Sequence, residues 1–303
     1  MEQSDQESSL KDAVVRTELV CRGCQYNLYG LAASGKCPEC GLDISETIIH
    51  TIDPAASRLP NIANPRAVGN GLLWLLVSLA IATLFLIARP VALRLDALDK
   101  TGVRDYSAFA PKYLPFAAGI VILFGLFAAV RFIPKNGNKN DGAIRKDIRV
   151  LMTGMIGLSI FCFVSSGLQL IPVTNWIISL THIALMVCAI IILLGLKGIL
   201  RAVGQRSREY RTARGGRQGI RAMIGAMLAA ITGELVRLVA ERLGSFPTIE
   251  IMAMVATWMS VLMLLIGLIY LVVNGWWIRK ALCKPPPKIS MILSSRDDWD
   301  ARN

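Results

Sequence analysis

The sequence predicts a mainly α fold: a polytopic membrane bundle of six transmembrane helices behind a small N-terminal four-cysteine zinc-ribbon β-hairpin. Three observations lead there. The 303 residues are 54% hydrophobic and 18% charged, against about 45–50% and about 25% in average soluble domains. Mean hydropathy is +0.52, and it is concentrated in runs of about twenty residues, the length that crosses a hydrocarbon core of about 30 Å. Four of the seven cysteines stand as two Cys-x-x-Cys pairs, at 21, 24, 37 and 40. Together these exclude a disordered chain, a collagen and a disulfide-stapled secreted domain.

Residues 1–16 are acidic and polar and are expected to be disordered. They lack the basic and then apolar order of a secretory signal peptide, so the first apolar run is expected to act as an uncleaved anchor. Residues 17–50 hold the cysteine pairs. Zinc takes four thiolates tetrahedrally at about 2.3 Å. A pair spaced by two residues reaches one ion only if the chain turns sharply between its members. Gly23 and Gly41 permit that turn, and Pro38 presets a dihedral. The twelve residues between the pairs suit two knuckles joined by a short β-hairpin. Four thiolates leave no open coordination position, so Cys21, Cys24, Cys37 and Cys40 are expected to hold a structural Zn2+. Such binding contributes on the order of 10–16 kcal/mol to folding. Iron in a rubredoxin-like site would use the same ligands.

The segment CRGCQYNLYGLAASGKCPECGLDI resembles the N-terminal zinc-ribbon signature of many uncharacterised membrane proteins of planctomycete-type bacteria. Their pattern is C-x-x-C-G-Y-[DN]-L-x-G-L followed by C-P-E-C-G. This chain departs from it at Gln25, where the pattern prefers Gly, and at Tyr29, where it often has Arg. The likeness covers residues 19–45. It implies a metal-stabilised cytoplasmic head in front of membrane helices, and no catalytic activity.

Between Glu18 and Glu46 the head has only Arg22 and Lys36 as basic residues, against four carboxylates. Nucleic acid would need a basic face, so a protein partner is expected instead. Tyr26, Leu28 and Tyr29 are the contact candidates; alternatively they form the ribbon's own core. His50 reads as a strand residue rather than a ligand.

A linker over 51–68 leads to a transmembrane domain over 69–278. Its spans are expected at about 69–89, 113–133, 150–171, 176–196, 222–243 and 249–278. The third and fourth are joined only by residues 172–175 and must form a tight antiparallel pair. Trp276 and Trp277 suit the headgroup region. The segment 222–243 differs from the rest because it carries Glu234, Arg237, Glu241 and Arg242. It either crosses with buried charge or lies on the surface as an amphipathic helix.

Charge patterning favours a crossing. The formal net charge of +12 divides into −3 over 1–68 and +15 over the remainder. The segments 134–149, 197–221 and the one after Ile278 hold five, eight and six basic residues, whereas 172–175 and 244–248 hold none. Basic loops stay cytoplasmic, which gives six crossings of a bacterial inner membrane with N- and C-termini cytoplasmic. The 90–112 loop fits this order least, because Arg94, Lys100, Arg104 and Lys112 would lie outside.

At a rise of 1.5 Å per residue, Glu234 lies about 3 Å and Arg237 about 7–8 Å outside the midplane, with His182 about 6 Å outside on an oppositely directed span. Glu234 and Arg237 share a helix face. The small residues Gly225, Ala229 and Gly233, and Ala222, Ala226 and Ala230, are expected to bring that face against other helices. Ser165, Ser166, Thr257 and Ser260 fall in the same outer half. His182, Glu234 and Arg237 are therefore the candidates for an intramembrane polar site.

In the 197–221 loop, Arg206, Arg208, Arg211, Arg214 and Arg217 are expected to contact anionic lipid headgroups, at about 1 kcal/mol for each basic residue. Nothing there specifies nucleic acid. The cytoplasmic tail, 279–303, should be extended through Lys284–Lys288 and disordered at its end. The chain has no Ser/His/Asp order, phosphate-cradling glycine loop or HExxH, and only two histidines. The expected role is a membrane-tethered zinc-ribbon interaction or scaffold protein. The alternative is a small transporter or channel built around Glu234, Arg237 and His182.

Overall fold

The computed structural model describes residues 13–53, 59, 62, 64–98, 113–130, 141–170, 174–212, 219–243, 247–284, 287 and 289–295. They divide into two compact units. The head comprises 13–53 with 289–295, and the second unit runs from Ile62 to Cys283.

In the head, strand β1 (Ala13–Val15) is paired on both edges. On one side lies β2 (Leu293–Ser295), antiparallel, with Ala13 opposite Ser295 and Val15 opposite Leu293. On the other lies the stretch 30–33. The Val15 N–H donates to the Leu31 carbonyl at 3.0 Å, and the N–H groups of Gly30 and Ala33 donate to the carbonyls of Val15 and Ala13, both at 2.8 Å. Helix α1 (Ile44–Ile52) buries Ile44, Thr47, Ile48 and Ile52, one helical face. The three isoleucines pack with Val15, Leu19, Leu28, Ala33 and Ile292 in a single small core.

This arrangement corrects several expectations. No hairpin joins the two knuckles among the described residues; single bridges form at Val14–Ala32, Val20–Asn27 and Lys36–Asp43. The strand that pairs with β1 comes instead from beyond the last long helix. Ala13–Val15, expected to be disordered, is therefore a strand. His50 sits in the last turn of α1 rather than on a strand. Residues 289–295 belong to the head rather than to a free tail, while 296–303 and most of 284–288 lie outside the described residues.

The second unit is helical. Five helices are long and apolar enough to span a membrane: α2 (Pro65–Leu98), α4 (Asp141–Leu168), α5 (Asn175–Gly204), α7 (Ile220–Leu243) and α8 (Pro247–Cys283). Six spans were expected. The sixth element, α3 (Leu114–Ala129), has 16 residues, a length of about 24 Å, and the last residues of the expected 113–133 run lie outside the described ones. A short helix, α6 (Arg208–Thr212), lies between α5 and α7. Several long helices overrun their apolar stretches, because hydropathy marks where lipid is and not where helical hydrogen bonding stops. Large side chains such as Trp74, Phe124, Phe127, Met252 and Ile269 lie exposed on the outside, an apolar surface too extensive for a soluble monomer.

The six long elements form a ring. Helix α2 packs on α3, α3 on α4, α4 on α5, α5 on α7, α7 on α8, and α8 returns to α2. Facing residues run in opposite order. Gly154 meets Ile192 while Gly157 meets Cys188; Gly69 meets Arg279 while Gly275 meets Leu76; Gly233 meets Thr257 while Gly267 meets Met223. Neighbours are thus antiparallel, and the inward side is filled by Leu72, Leu76, Ile122, Leu151, Met155 and Leu271, among others.

Five of the six crossings have a glycine whose nearest neighbours lie on the facing helix. Lipid tails are as apolar as leucine, so helices in a membrane associate through close packing rather than water exclusion. The α4–α5 crossing is the tightest. A Cβ on Gly195 would lie 2.6 Å from the Leu151 backbone nitrogen and 2.7 Å from the Asp147 carbonyl oxygen. Backbone cannot yield as a side-chain tip can. Gly195→Ala should destabilise the bundle by about 1–3 kcal/mol, read as a lower thermal midpoint in detergent. Gly225, with nothing within 4 Å, provides the control: Gly225→Ala should leave the midpoint unchanged or raise it.

Candidate functional site

Each cysteine pair sits on a turn of the same construction. In the first, the Gln25 N–H donates to the Cys21 carbonyl at 2.9 Å, and the Cys21 N–H donates to the Tyr26 carbonyl at 2.8 Å. In the second, the Gly41 N–H donates to the Cys37 carbonyl at 2.9 Å, and the Cys37 N–H to the Leu42 carbonyl at 2.8 Å. Both turns put the residue after the second cysteine in the left-handed region, Gln25 at φ 64° and Gly41 at φ 69°. Glycine adopts that conformation without cost. Gly23, expected to permit the sharp turn, instead lies close to the second pair, where a Cβ would come within 3.1 Å of the Cys40 sulfur.

The turns bring four sulfurs to one point. The Sγ atoms of Cys21 and Cys40 are 3.6 Å apart, those of Cys24 and Cys37 3.5 Å, and all four lie within 4.8 Å of one another. A tetrahedron with metal–sulfur bonds of about 2.3 Å has edges of about 3.8 Å, so the cluster could hold a metal ion with little adjustment. Cys21 and Cys37 are buried in the head core, and Cys24 and Cys40 face solvent. The Cys24 backbone N–H, aided by that of Gly23, pulls the Cys21 thiol down to about 6. The Tyr26 N–H favours the Cys24 thiolate, but loss of solvent and the neighbouring sulfurs outweigh it and push that thiol up to about 12. Crowded thiolates repel one another, and a cation at their centre lets all of them ionise together.

Around the cluster, Leu28 is fully buried whereas Tyr26 is 40% and Tyr29 50% exposed. The three contact candidates are thereby separated: Leu28 belongs to the core and the tyrosines to the surface. Arg22 donates to Glu46 at 3.2 Å across the head surface, a solvent-exposed pair of small energetic weight.

The second candidate lies where α5 crosses α7. Arg237 donates from Nε to Glu234 Oε2 at 3.3 Å and from Nη2 to Glu234 Oε1 at 2.7 Å, and Nη2 also reaches Ser179 Oγ at 2.6 Å. His182 Nδ1 is 3.9 Å from Glu234 Oε1. Glu234 and Ser179 are buried. The structure therefore brings together His182, Glu234 and Arg237, all expected here, and adds Ser179. Ser179 precedes His182 by one helical turn, and that spacing is the signal in the sequence that identifies it.

Two hydroxyls of the expected pocket donate within their own helix. Thr257 and Ser260 donate back to the carbonyls of Ala253 and Ala256 on their own helix, at 2.9 and 2.8 Å. The small-residue expectation also divides. Ala226, Ala230 and Gly233 are buried, but Gly225 and Ala229 face outward. Helix α7 is a full member of the ring, between α5 and α8. No described glycine meets the facing helix at the α5–α7 crossing, which leaves an apolar cleft lined by Trp176, Leu180, Leu235, Leu238 and Val239. The charged cluster joins the two helices where glycine packing does not.

Of the basic loop, Arg206, Arg208 and Arg211 are half-buried, and Arg211 donates to the Gln205 carbonyl. Among the described residues of 197–221, α5 continues to Gly204, the five residues of α6 follow, and α7 begins at Ile220. Helix α6 is tied to α8 by Glu209 and Lys280, 3.8 Å apart. Arg214 and Arg217 lie outside the described residues.

No protein-family model, curated protein or solved structure matches the chain.

Two outcomes follow from this geometry. Gln25→Gly relieves a left-handed side-chain residue and should stabilise the head by about 1 kcal/mol, seen as a later unfolding midpoint for the head under denaturant. Glu234→Leu removes the carboxylate from the half-buried Arg237 and should cost about 1–3 kcal/mol, whereas Glu234→Leu combined with Arg237→Leu should recover most of that loss. Thermal midpoints of the three proteins in one detergent give the comparison.

Proposed function

We propose that this chain is a membrane-tethered interaction or scaffold protein whose soluble head is organised by a structural Zn2+ on Cys21, Cys24, Cys37 and Cys40. The observation that carries the reading is the closed four-sulfur cluster built into the head core. Four protein ligands leave no position for a substrate, so the chemistry of the site is to hold shape. The metal fixes a surface on which Tyr26 and Tyr29 stand exposed, and large rigid aromatics suit protein contact. Zinc is favoured over iron because Zn2+ holds four thiolates tetrahedrally without redox chemistry.

The helices serve as the anchor, with six crossings of the inner membrane and both flanking segments in the cytoplasm. The β1–β2 pairing supports an even number. The residues between Cys283 and Ile289 number five and reach at most about 18 Å, too short to cross a hydrocarbon core of about 30 Å. The sequence between α1 and α2 carries Pro54 and Pro60 and no apolar run long enough to cross lipid. Entry to α2 and exit from α8 therefore lie on one side, and the antiparallel ring counts α3 among the crossings. The arginines after α5 would then face anionic headgroups. A transport role gains less support, because Arg237 engages both oxygens of Glu234 and the hydroxyls of Thr257 and Ser260 are bound within their own helix.

The test places a photo-crosslinking amino acid at Tyr26 in cells. A discrete adduct should form in the otherwise native chain and be lost in Cys37→Ser, which removes a metal ligand. An adduct unchanged by Cys37→Ser, or absent from both proteins, rejects the metal-organised contact. In the same cells a cysteine at Ser245 should react with an impermeant thiol reagent from outside; reaction only after lysis rejects six crossings.

A further inference from the structure

We propose that the segment after α8 is an internal ligand of the head, so that its docking on β1 and metal retention at the four cysteines stabilise each other. This rests on reading the cysteines as a metal site. Ile292 is 2% exposed and belongs to the same apolar cluster as Cys21 and Cys37, the two inner sulfur ligands. The docked segment is held by more than one bond. The Arg16 N–H donates to the Ile292 carbonyl at 2.8 Å, Arg16 Nε donates to the Met291 carbonyl at 3.1 Å, and three residue pairs of β1 and β2 follow.

Strand β1 transmits that support to the ligands. Its other edge holds Gly30, Leu31 and Ala33, which lie in the stretch between Cys24 and Cys37 and so set the distance between the two turns. Beyond it, the Leu28 N–H donates to the Leu19 carbonyl at 2.7 Å just ahead of the first pair, and the Ile44 N–H donates to the Gly35 carbonyl at 3.0 Å just after the second. Without β2, β1 becomes an edge strand of a segment of about 40 residues, near the size at which a core alone no longer holds a fold. Coupling between two ligands of one fold is reciprocal. Metal on the cysteines therefore strengthens docking of 289–295, and docking slows metal loss. Because the head joins the segment that enters α2 to the one that leaves α8, the metal acts as the pin of a clasp between the two flanks of the bundle.

The experiment uses the full chain in lipid nanodiscs, loaded with Zn2+ and quantified for metal. Transfer of zinc to excess EDTA is followed in the unaltered chain, Ile292→Ala and Ile292→Asp. Hydrogen exchange at 291–295 is followed in the unaltered chain before and after EDTA. Ile292→Asp should release zinc roughly tenfold faster or more, with Ile292→Ala between. EDTA should deprotect the 291–295 amides while α4 and α5 keep their protection. Should Ile292→Asp fail to fold, Ile292→Ala and the exchange measurement decide the matter. Zinc release unchanged in Ile292→Ala, or 291–295 amides that stay protected after zinc is stripped, overturns the coupling and leaves the metal site standing. A chain that takes up no zinc overturns the metal reading itself, and the coupling with it.

Discussion

Lipid supplies no hydrophobic force to hold one helix against another, and the ring depends on how closely its backbones approach. At five crossings a glycine removes the side chain that would keep them apart: Gly125 against Ser78, Gly119 against Phe163, Gly195 against Leu151, Gly267 against Met223, and Gly275 against Leu76. At the Gly119 crossing the Ser159 hydroxyl also donates to the Gly119 carbonyl at 3.1 Å. Packing of this kind is short-ranged and directional, so it determines which helices are neighbours as well as how tightly they sit. Five of the six neighbour contacts in the ring include such a glycine.

The α5–α7 crossing lacks that device and uses charge. Glu234 and Arg237 lie three residues apart on one helix, so they neutralise each other before α5 contributes anything. Ser179 then links the guanidinium to the second helix. The same pair that made 222–243 look unlike a membrane span supplies its bond to α5, while Gly233 and Gly267 mark its packing on α8.

The head solves a different problem, that of a core too small to be stable alone. It draws on three sources: the cysteine cluster, which could hold a metal ion, the face of α1, and the strand donated from beyond α8. All three meet at Val15, Leu28 and Ile292. Outside that core, Tyr26 and Tyr29 stand exposed on the head surface.

Much of this was legible along the chain, for definite reasons. Hydropathy is local, so the long helices appear as runs of apolar residues. Metal ligation by knuckles is also local, so Cys21, Cys24, Cys37 and Cys40 stand out by spacing alone. The i,i+3 relation of Glu234 and Arg237 was visible, and helix rise placed His182 at their depth. The departure at Gln25 was visible too, but its conformational meaning was not until φ was known.

What only the tertiary structure decided are pairings between distant segments. Leu293–Ser295 is three residues long, too short for a periodic signal, and Arg16 and Met291 are separated by 275 positions. Nothing in either stretch announces the other. Ring closure between α2 and α8, the engagement of Ser179 and the inward turn of α7 have the same character. Sequence by itself determined which segments are apolar, which carry ligands and which carry charge, because those properties belong to the residues. Tertiary structure decided which of them meet, because a meeting depends on shape and backbone approach, quantities that exist only once the helices are packed.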